Sequence, residues 1–78
     1  MSEFLNKTVV VTGGFRGNGL SISENFLKHG AKVFSIDKNF KKSQKSGNHT
    51  RIKAEVNNFK IIKKIINTIG KKEKKIDI

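Results

Sequence analysis

Thr8-Val9-Val10-Val11-Thr12-Gly13-Gly14-Phe15-Arg16-Gly17-Asn18-Gly19 decides how the rest of the chain is read. Thr8 to Thr12 is a β-branched run, which suits a strand buried in a parallel sheet. The run breaks into glycines at 13, 14, 17 and 19, and from Leu20 to His29 the pattern turns helical. Strand, glycine turn, helix is the context in which a loop can hold phosphate. Glycine lets the backbone turn tightly and lets a phosphate approach it closely. The first turn of the helix then offers N–H groups without partners and the positive end of its dipole.

Before this stretch, residues 2–7 are a short lead-in. After it, Leu20, Phe26 and Leu27 form the inward face of the first helix, with Ser23, Glu24 and Lys28 outward. His29-Gly30 ends that helix, with Gly30 at the C′ position. Lys32 to Ile36 is a second strand, and Asp37 stands at its C-terminal tip. Residues 38–50 read as a polar loop with Phe40 as its one anchor. Residues 51–56 read as a third strand, apolar in alternation at Ile52, Ala54 and Val56. Asn57 or Asn58 suits an N-cap. Phe59 to Ile69 carries Ile62, Ile65, Ile66 and Ile69 at the spacing of an amphipathic helix, and Gly70 is its expected stop. Residues 71–75 read as a solvated turn, after which Ile76-Asp77-Ile78 opens another apolar segment.

The order is β-α-β-loop-β-α and the start of a further β. This predicts the α/β class: a parallel sheet with crossover helices, amounting to part of a Rossmann fold. Strand order in such sheets places a fourth strand beside the first. With the chain read to Ile78, one edge of Val9-Val10-Val11 is expected to be unpaired, the mark of a truncated domain.

A length of 78 residues allows one small domain at most. There is no Cys, so disulfides and thiolate metal sites are excluded. His29 and His49, one at a helix end and one in the loop, have no paired spacing for a metal. The start shows no signal peptide, and no apolar run approaches membrane-spanning length. A cytoplasmic protein without membrane partners is expected. The net charge of +11 points towards polyanions. However, the basic residues are almost all Lys, with Arg only at 16 and 51, and Trp and Tyr are absent. The residues that read guanine and stack on bases are therefore scarce, and specific nucleic-acid binding is not expected.

Thr12-Gly13-x-x-x-Gly17-x-Gly19 resembles the cofactor loop of the short-chain dehydrogenase/reductase family. The resemblance implies that Gly13, Gly17 and Gly19 hold the pyrophosphate of a nicotinamide dinucleotide. Asp37 lies 20 residues after Gly17, near the spacing of the acid that accepts both hydroxyls of the adenosine ribose. A carboxylate there repels a 2′-phosphate and favours NAD. Arg16 argues for NADP, since a basic residue before the second glycine accompanies NADP use in the family. Lys38 could meet the same phosphate. NAD is the expected cofactor, with NADP as the alternative.

The family's Asp-Val pair at the third strand tip, which contacts adenine, corresponds here to Glu55-Val56, with an acid one methylene longer. Asn18 stands where the family is usually apolar and would serve through its backbone N–H. Phe15 reads as loop packing or a cover over the cofactor edge. The tail, residues 70–78, resembles the approach to the family's fourth strand. The Asn-Asn-Ala-Gly motif, the catalytic Ser and Tyr-x-x-x-Lys lie further on in the family, so no catalytic residue is assigned. Residues 1–78 are thus expected to be the dinucleotide-binding portion of one Rossmann domain in an oxidoreductase. At full length it would move a hydride between nicotinamide and a carbonyl/alcohol substrate, in a form open to homo-oligomer assembly. The alternatives are a non-catalytic nucleotide-binding module and a basic nucleic-acid-associated protein.

Overall fold

The computed structural model describes residues 4–78; Ser2 and Glu3 of the lead-in lie outside them. The chain runs β1 (Thr8–Thr12), α1 (Gly17–Lys28), β2 (Lys32–Ile36), β3 (Gln44–Ser46), β4 (His49–Ile52) and α2 (Phe59–Glu73). One sheet has the order β1-β2-β4-β3, with β1, β2 and β4 parallel and β3 antiparallel to β4. This is the expected α/β architecture of a partial Rossmann fold.

The two apolar runs form β1 and β2 at the bounds read from the sequence, paired from Thr8↔Lys32 to Thr12↔Ile36. Side chains alternate between faces of a sheet and paired residues share a face. Val9, Val11, Val33, Ser35 and His49 therefore lie on one side, and Val10, Phe34 and Ile36 on the other. On the first side Val9, Val11, Ala31 and Val33 are buried, with Phe4, Phe26 and Leu27 packed against them. Fully burying a valine of this kind contributes about 1.5–3 kcal/mol.

Helix α1 starts at Gly17, three residues before the expected Leu20. A φ of +64° at Gly17 swings the chain into the helix axis within the glycine loop itself. Its end is as expected. Gly30 has φ +94°, its N–H donates to the Leu27 carbonyl, and that of Ala31 donates to the Phe26 carbonyl. These two bonds close a Schellman motif. Ser23 is not outward, as its polarity suggested, but fully buried. It stands three residues from both Leu20 and Phe26, so helical spacing puts it on the apolar stripe.

The polar loop also needs correction. Gly47, at φ +58°, turns residues 44–46 back against 49–51 as an antiparallel hairpin. The third parallel strand consequently covers His49–Ile52 rather than residues 51–56. Phe40 is buried, as expected of an anchor. In α2, Asn58 is the N-cap, its side-chain oxygen accepting the Ile61 N–H at 3.2 Å. Gly70 does not stop this helix, which runs on to Glu73 and ends at Lys74 in the left-handed region, φ +72°. The last turn is held because Glu73 reaches Lys32 on β2 at 3.0 Å. Lys71 and Lys72 are thus helical rather than part of a turn.

The second edge of β1 is engaged, contrary to expectation. The Val10 N–H donates to the Ile78 carbonyl at 2.9 Å, and the Asp77 N–H to the Thr8 carbonyl at 2.9 Å. The Asp77 carboxylate also accepts the Thr8 N–H at 2.9 Å. That bond above all holds the Asp77 carboxyl below its usual value, against the opposing pull of desolvation, with help from Lys75 and Lys7. A depressed acid adds stability that is fully present above about pH 4 and fades as pH falls through the lowered value. Asp77→Asn is therefore expected to lower the thermal midpoint at pH 7 while flattening the acid limb of the stability curve, as followed by circular dichroism.

Candidate functional site

At the C-terminal tips of β1, β2 and β4, the loop from Gly13 to Gly19 folds over the sheet. Its start is fixed by the Gly13 N–H donating to the Ile36 carbonyl at 2.8 Å. Gly13 and Gly17 have φ of +72° and +64°, and a Cβ at either would meet nothing within 4 Å. The loop thus presents open space on its outer side.

Arg16 is the extended N-cap of α1 and makes no capping hydrogen bond, and the first turn carries no acidic residue. The first N–H groups of a helix have no partner within it. An uncapped start therefore leaves donors and a positive dipole end facing that space. Arg16, Gly17 and Asn18 are all exposed beside it.

Asp37 closes the other side. Its Oδ2 accepts the Phe15 N–H at 3.2 Å and its Oδ1 accepts the Asn39 N–H at 2.9 Å. A carboxylate has about four acceptor positions, so this arrangement leaves room for further donors. Phe15 leans edge-on against Phe40 with ring centroids 5.7 Å apart. Lys38, exposed, pairs with the half-buried Glu55 at 3.7 Å. Val56 follows them, 37% exposed, on the irregular chain after β4 rather than on a strand tip. The sequence-assigned residues from Gly13 to Gly19, with Asp37, Lys38 and Glu55, are thus gathered around one end of the sheet, and Val56 lies at its margin.

Four residues of this region, Gly14, Ser23, Ser35 and His49, had no site role in the sequence reading. Gly14 is buried and lies directly on β2: a Cβ there would come within 2.7 Å of the Ser35 Cβ. Beneath it runs a buried polar chain. Ser23 Oγ donates to the Gly19 carbonyl at 2.9 Å, Ser23 Oγ meets Ser35 Oγ at 3.0 Å, and Ser35 Oγ meets His49 Nε2 at 2.7 Å. His49 is therefore a buried strand residue, not a loop residue. The one available signal was Ser35, a hydroxyl in the middle of an apolar strand.

An open groove of about 480 Å³ lies elsewhere, on α2 between Lys60, Lys63, Lys64, Asn67, Thr68 and Lys71. All six residues are exposed, so it is a shelf among solvated lysines. Among the described residues no group of three or more His, Cys, Asp or Glu side chains gathers to hold a metal. No described helix is long and apolar enough to cross a membrane.

Comparison with known proteins is consistent with this geometry. Among curated proteins, no sequence matches the chain. Solved structures do. A short-chain dehydrogenase from Bacillus anthracis superposes with a TM-score of 0.78 at 30% identity, over 92% of this chain and 32% of that one. A short-chain dehydrogenase from Leptospira borgpetersenii serovar Hardjo-bovis, solved with bound NAD+, superposes with a TM-score of 0.78 at 31% identity, over 95% of this chain and 30% of that one. The chain spans about a third of the length of these two proteins. The family model for short chain dehydrogenases matches residues 7–78, and the chain belongs to that family.

Proposed function

We propose that residues 1–78 are the dinucleotide-binding portion of a Rossmann domain, and that this portion holds NAD. The observation that carries the reading is the uncapped start of α1 over an open glycine cradle, with the Asp37 carboxylate tied to the same loop through Phe15. A pyrophosphate fits there because it needs backbone donors and close approach, and the cradle offers both. The backbone N–H groups from Gly13 to Gly19 would hold it, and Asp37 would accept the adenosine ribose hydroxyls. Phe15 would cover the cofactor edge. The Lys38–Glu55 pair and Val56 would border the adenine side.

NAD is favoured over NADP because the Asp37 charge would oppose a 2′-phosphate, while Lys38 is already paired with Glu55. Arg16, at the start of α1, is an exposed cation beside the cradle. When bound, the nicotinamide supplies the hydride chemistry of an oxidoreductase acting on a carbonyl/alcohol pair. The residues here bind and orient the cofactor. The sequence holds no Tyr, so no Tyr-x-x-x-Lys group is assigned within it.

Calorimetric titration with NAD and NADP tests the reading. NAD is expected to bind more tightly. Asp37→Ala is expected to weaken NAD by about 10- to 100-fold, the worth of a charge-assisted hydrogen-bond pair, and to erase the preference over NADP. Binding of neither nucleotide by the wild-type chain would overturn the reading, and an unchanged preference in the variant would remove the ribose role from Asp37.

A further inference from the structure

The buried chain beneath the cradle has a fixed direction. A carbonyl oxygen only accepts, so Ser23 must spend its single hydroxyl hydrogen on the Gly19 carbonyl. In the 3.0 Å contact between the serines, Ser35 is then the donor. With its own hydrogen spent, Ser35 can only accept in the 2.7 Å contact with His49, so the donor there is His49 Nε2–H. Three hydrogen bonds therefore run one way, from β4 through β2 to the first turn of α1. Ser23 and Ser35 are completely buried and His49 is 6% exposed, so no water shares the duty.

Burial first and then Arg51 hold the His49 imidazolium below its usual range, while Glu24 on α1 pulls the other way. This lowering favours the neutral ring near pH 7. A neutral imidazole carries one N–H, and the chain requires it on Nε2, so Nδ1 is bare.

The position of this chain gives it a consequence. Gly14 lies on both hydroxyls: a Cβ there would be 3.0 Å from Ser35 Oγ and 3.5 Å from Ser23 Oγ. Gly19, whose carbonyl ends the chain, would press a Cβ to 2.0 Å from the Gly13 oxygen. The chain thus runs directly beneath Gly14 and ends on the Gly19 carbonyl, at the floor of the cradle and in the first turn of α1.

We propose that His49 is a positioning residue for the cofactor loop, which it holds in its binding shape through Ser35 and Ser23 although it never touches the ligand. This rests on the reading of the cradle as a dinucleotide site. What His49 contributes is a donor at one point, so a donor of similar reach replaces it and an apolar ring does not. Glutamine places an amide N–H where Nε2–H stands, whereas phenylalanine fills the space without one.

The test has two arms. Nitrogen-15 spectra of the histidine rings report the tautomer without any ligand, and His49 is expected to be protonated at Nε2 and bare at Nδ1 near pH 7. A proton on Nδ1 instead would overturn the direction of the chain and the proposal with it. In the second arm, NAD titration is expected to show His49→Phe weakened about five- to tenfold and His49→Gln within twofold of wild type. Equal affinities for wild type, His49→Phe and His49→Gln would overturn the positioning role while leaving the cofactor site standing. Equal losses in both variants would show packing alone and also overturn it. Should His49→Phe fail to fold, Ser35→Ala interrupts the same chain with a smaller change. It is expected to lose the same five- to tenfold, and an unaltered affinity there counts against the proposal. No NAD binding by wild type would remove the cofactor reading, and the positioning role with it.

Discussion

Gly19→Ala is expected to lower the thermal midpoint by on the order of 15 °C and to abolish dinucleotide binding. The added Cβ would stand 2.0 Å from the Gly13 oxygen and 2.7 Å from the Gly13 carbonyl carbon. Both are backbone atoms, so no rotamer change relieves the overlap. The helix start and the strand end must part by more than 1 Å, which overpacking of a core makes costly at about 3 kcal/mol. At this chain length each kcal/mol moves the midpoint by about 4–8 °C. Gly70→Ala provides the opposite control. A Cβ at Gly70 meets nothing within 4 Å, and the residue lies inside α2. Alanine there is expected to stabilise by up to about 1 kcal/mol through helix propensity alone. Thermal unfolding followed by circular dichroism reads both, and a Gly19→Ala protein that melts like wild type would show that the helix start does not bear on the loop.

The second large effect is expected at Gly14, and it is conditional. Gly14→Ala brings its Cβ within 2.7 Å of the Ser35 Cβ, a side-chain atom that a second substitution can remove. The single variant is expected to lose about 2 kcal/mol, as overpacked cores do. Ser35→Gly alone loses the Ser23 and His49 hydrogen bonds and weakens a strand interior. The pair Gly14→Ala with Ser35→Gly is expected to lose less than the sum of the singles by about 1–2 kcal/mol, measured by a double-mutant cycle in urea. Strict additivity would show that the clash is relieved by movement of the loop rather than by Ser35. This pair separates space from hydrogen bonding at the floor of the cradle, which His49 substitutions do not.

The sequence spelled out the elements whose local signals agree with one another. β1 carries an unbroken run of valines and β2 a largely apolar one, and Gly30 suits a helix C-terminus, so these features matched to the residue, while the N-cap of α2 fell on Asn58, one of the two asparagines read for it. The glycine spacing and Asp37 were legible because they follow a strand at fixed distances, and they do meet at one end of the sheet. The misreadings came where a tertiary contact overrode a local signal. Gly70 looks like a stop, but the Glu73–Lys32 pair carries α2 one turn further. Residues 38–50 look like a loop because Lys, Gln and Ser favour no strand, yet Gly47-Asn48 between them is a two-residue hairpin signal. Ser23 was placed by its polarity rather than by its helical position. His49 was placed in the loop, because its meaning depends on a serine 14 residues earlier and one strand away.

The bond between Thr8 and Asp77 joins residues 69 positions apart. Within this stretch β1 is made first, and among the described residues its second edge is met by Asp77 and Ile78 at the far end. During synthesis the most apolar strand of the sheet must wait, with half of its backbone groups bonded to water, while everything between is made. Closing so long a loop is slow, because its entropy must be lost before the contact repays it. Among the four strands of this stretch, the order of manufacture and the order of completion are thus reversed in β1: the strand made first is finished last. Until then, an unfinished edge of valines is what a nascent chain presents to its neighbours.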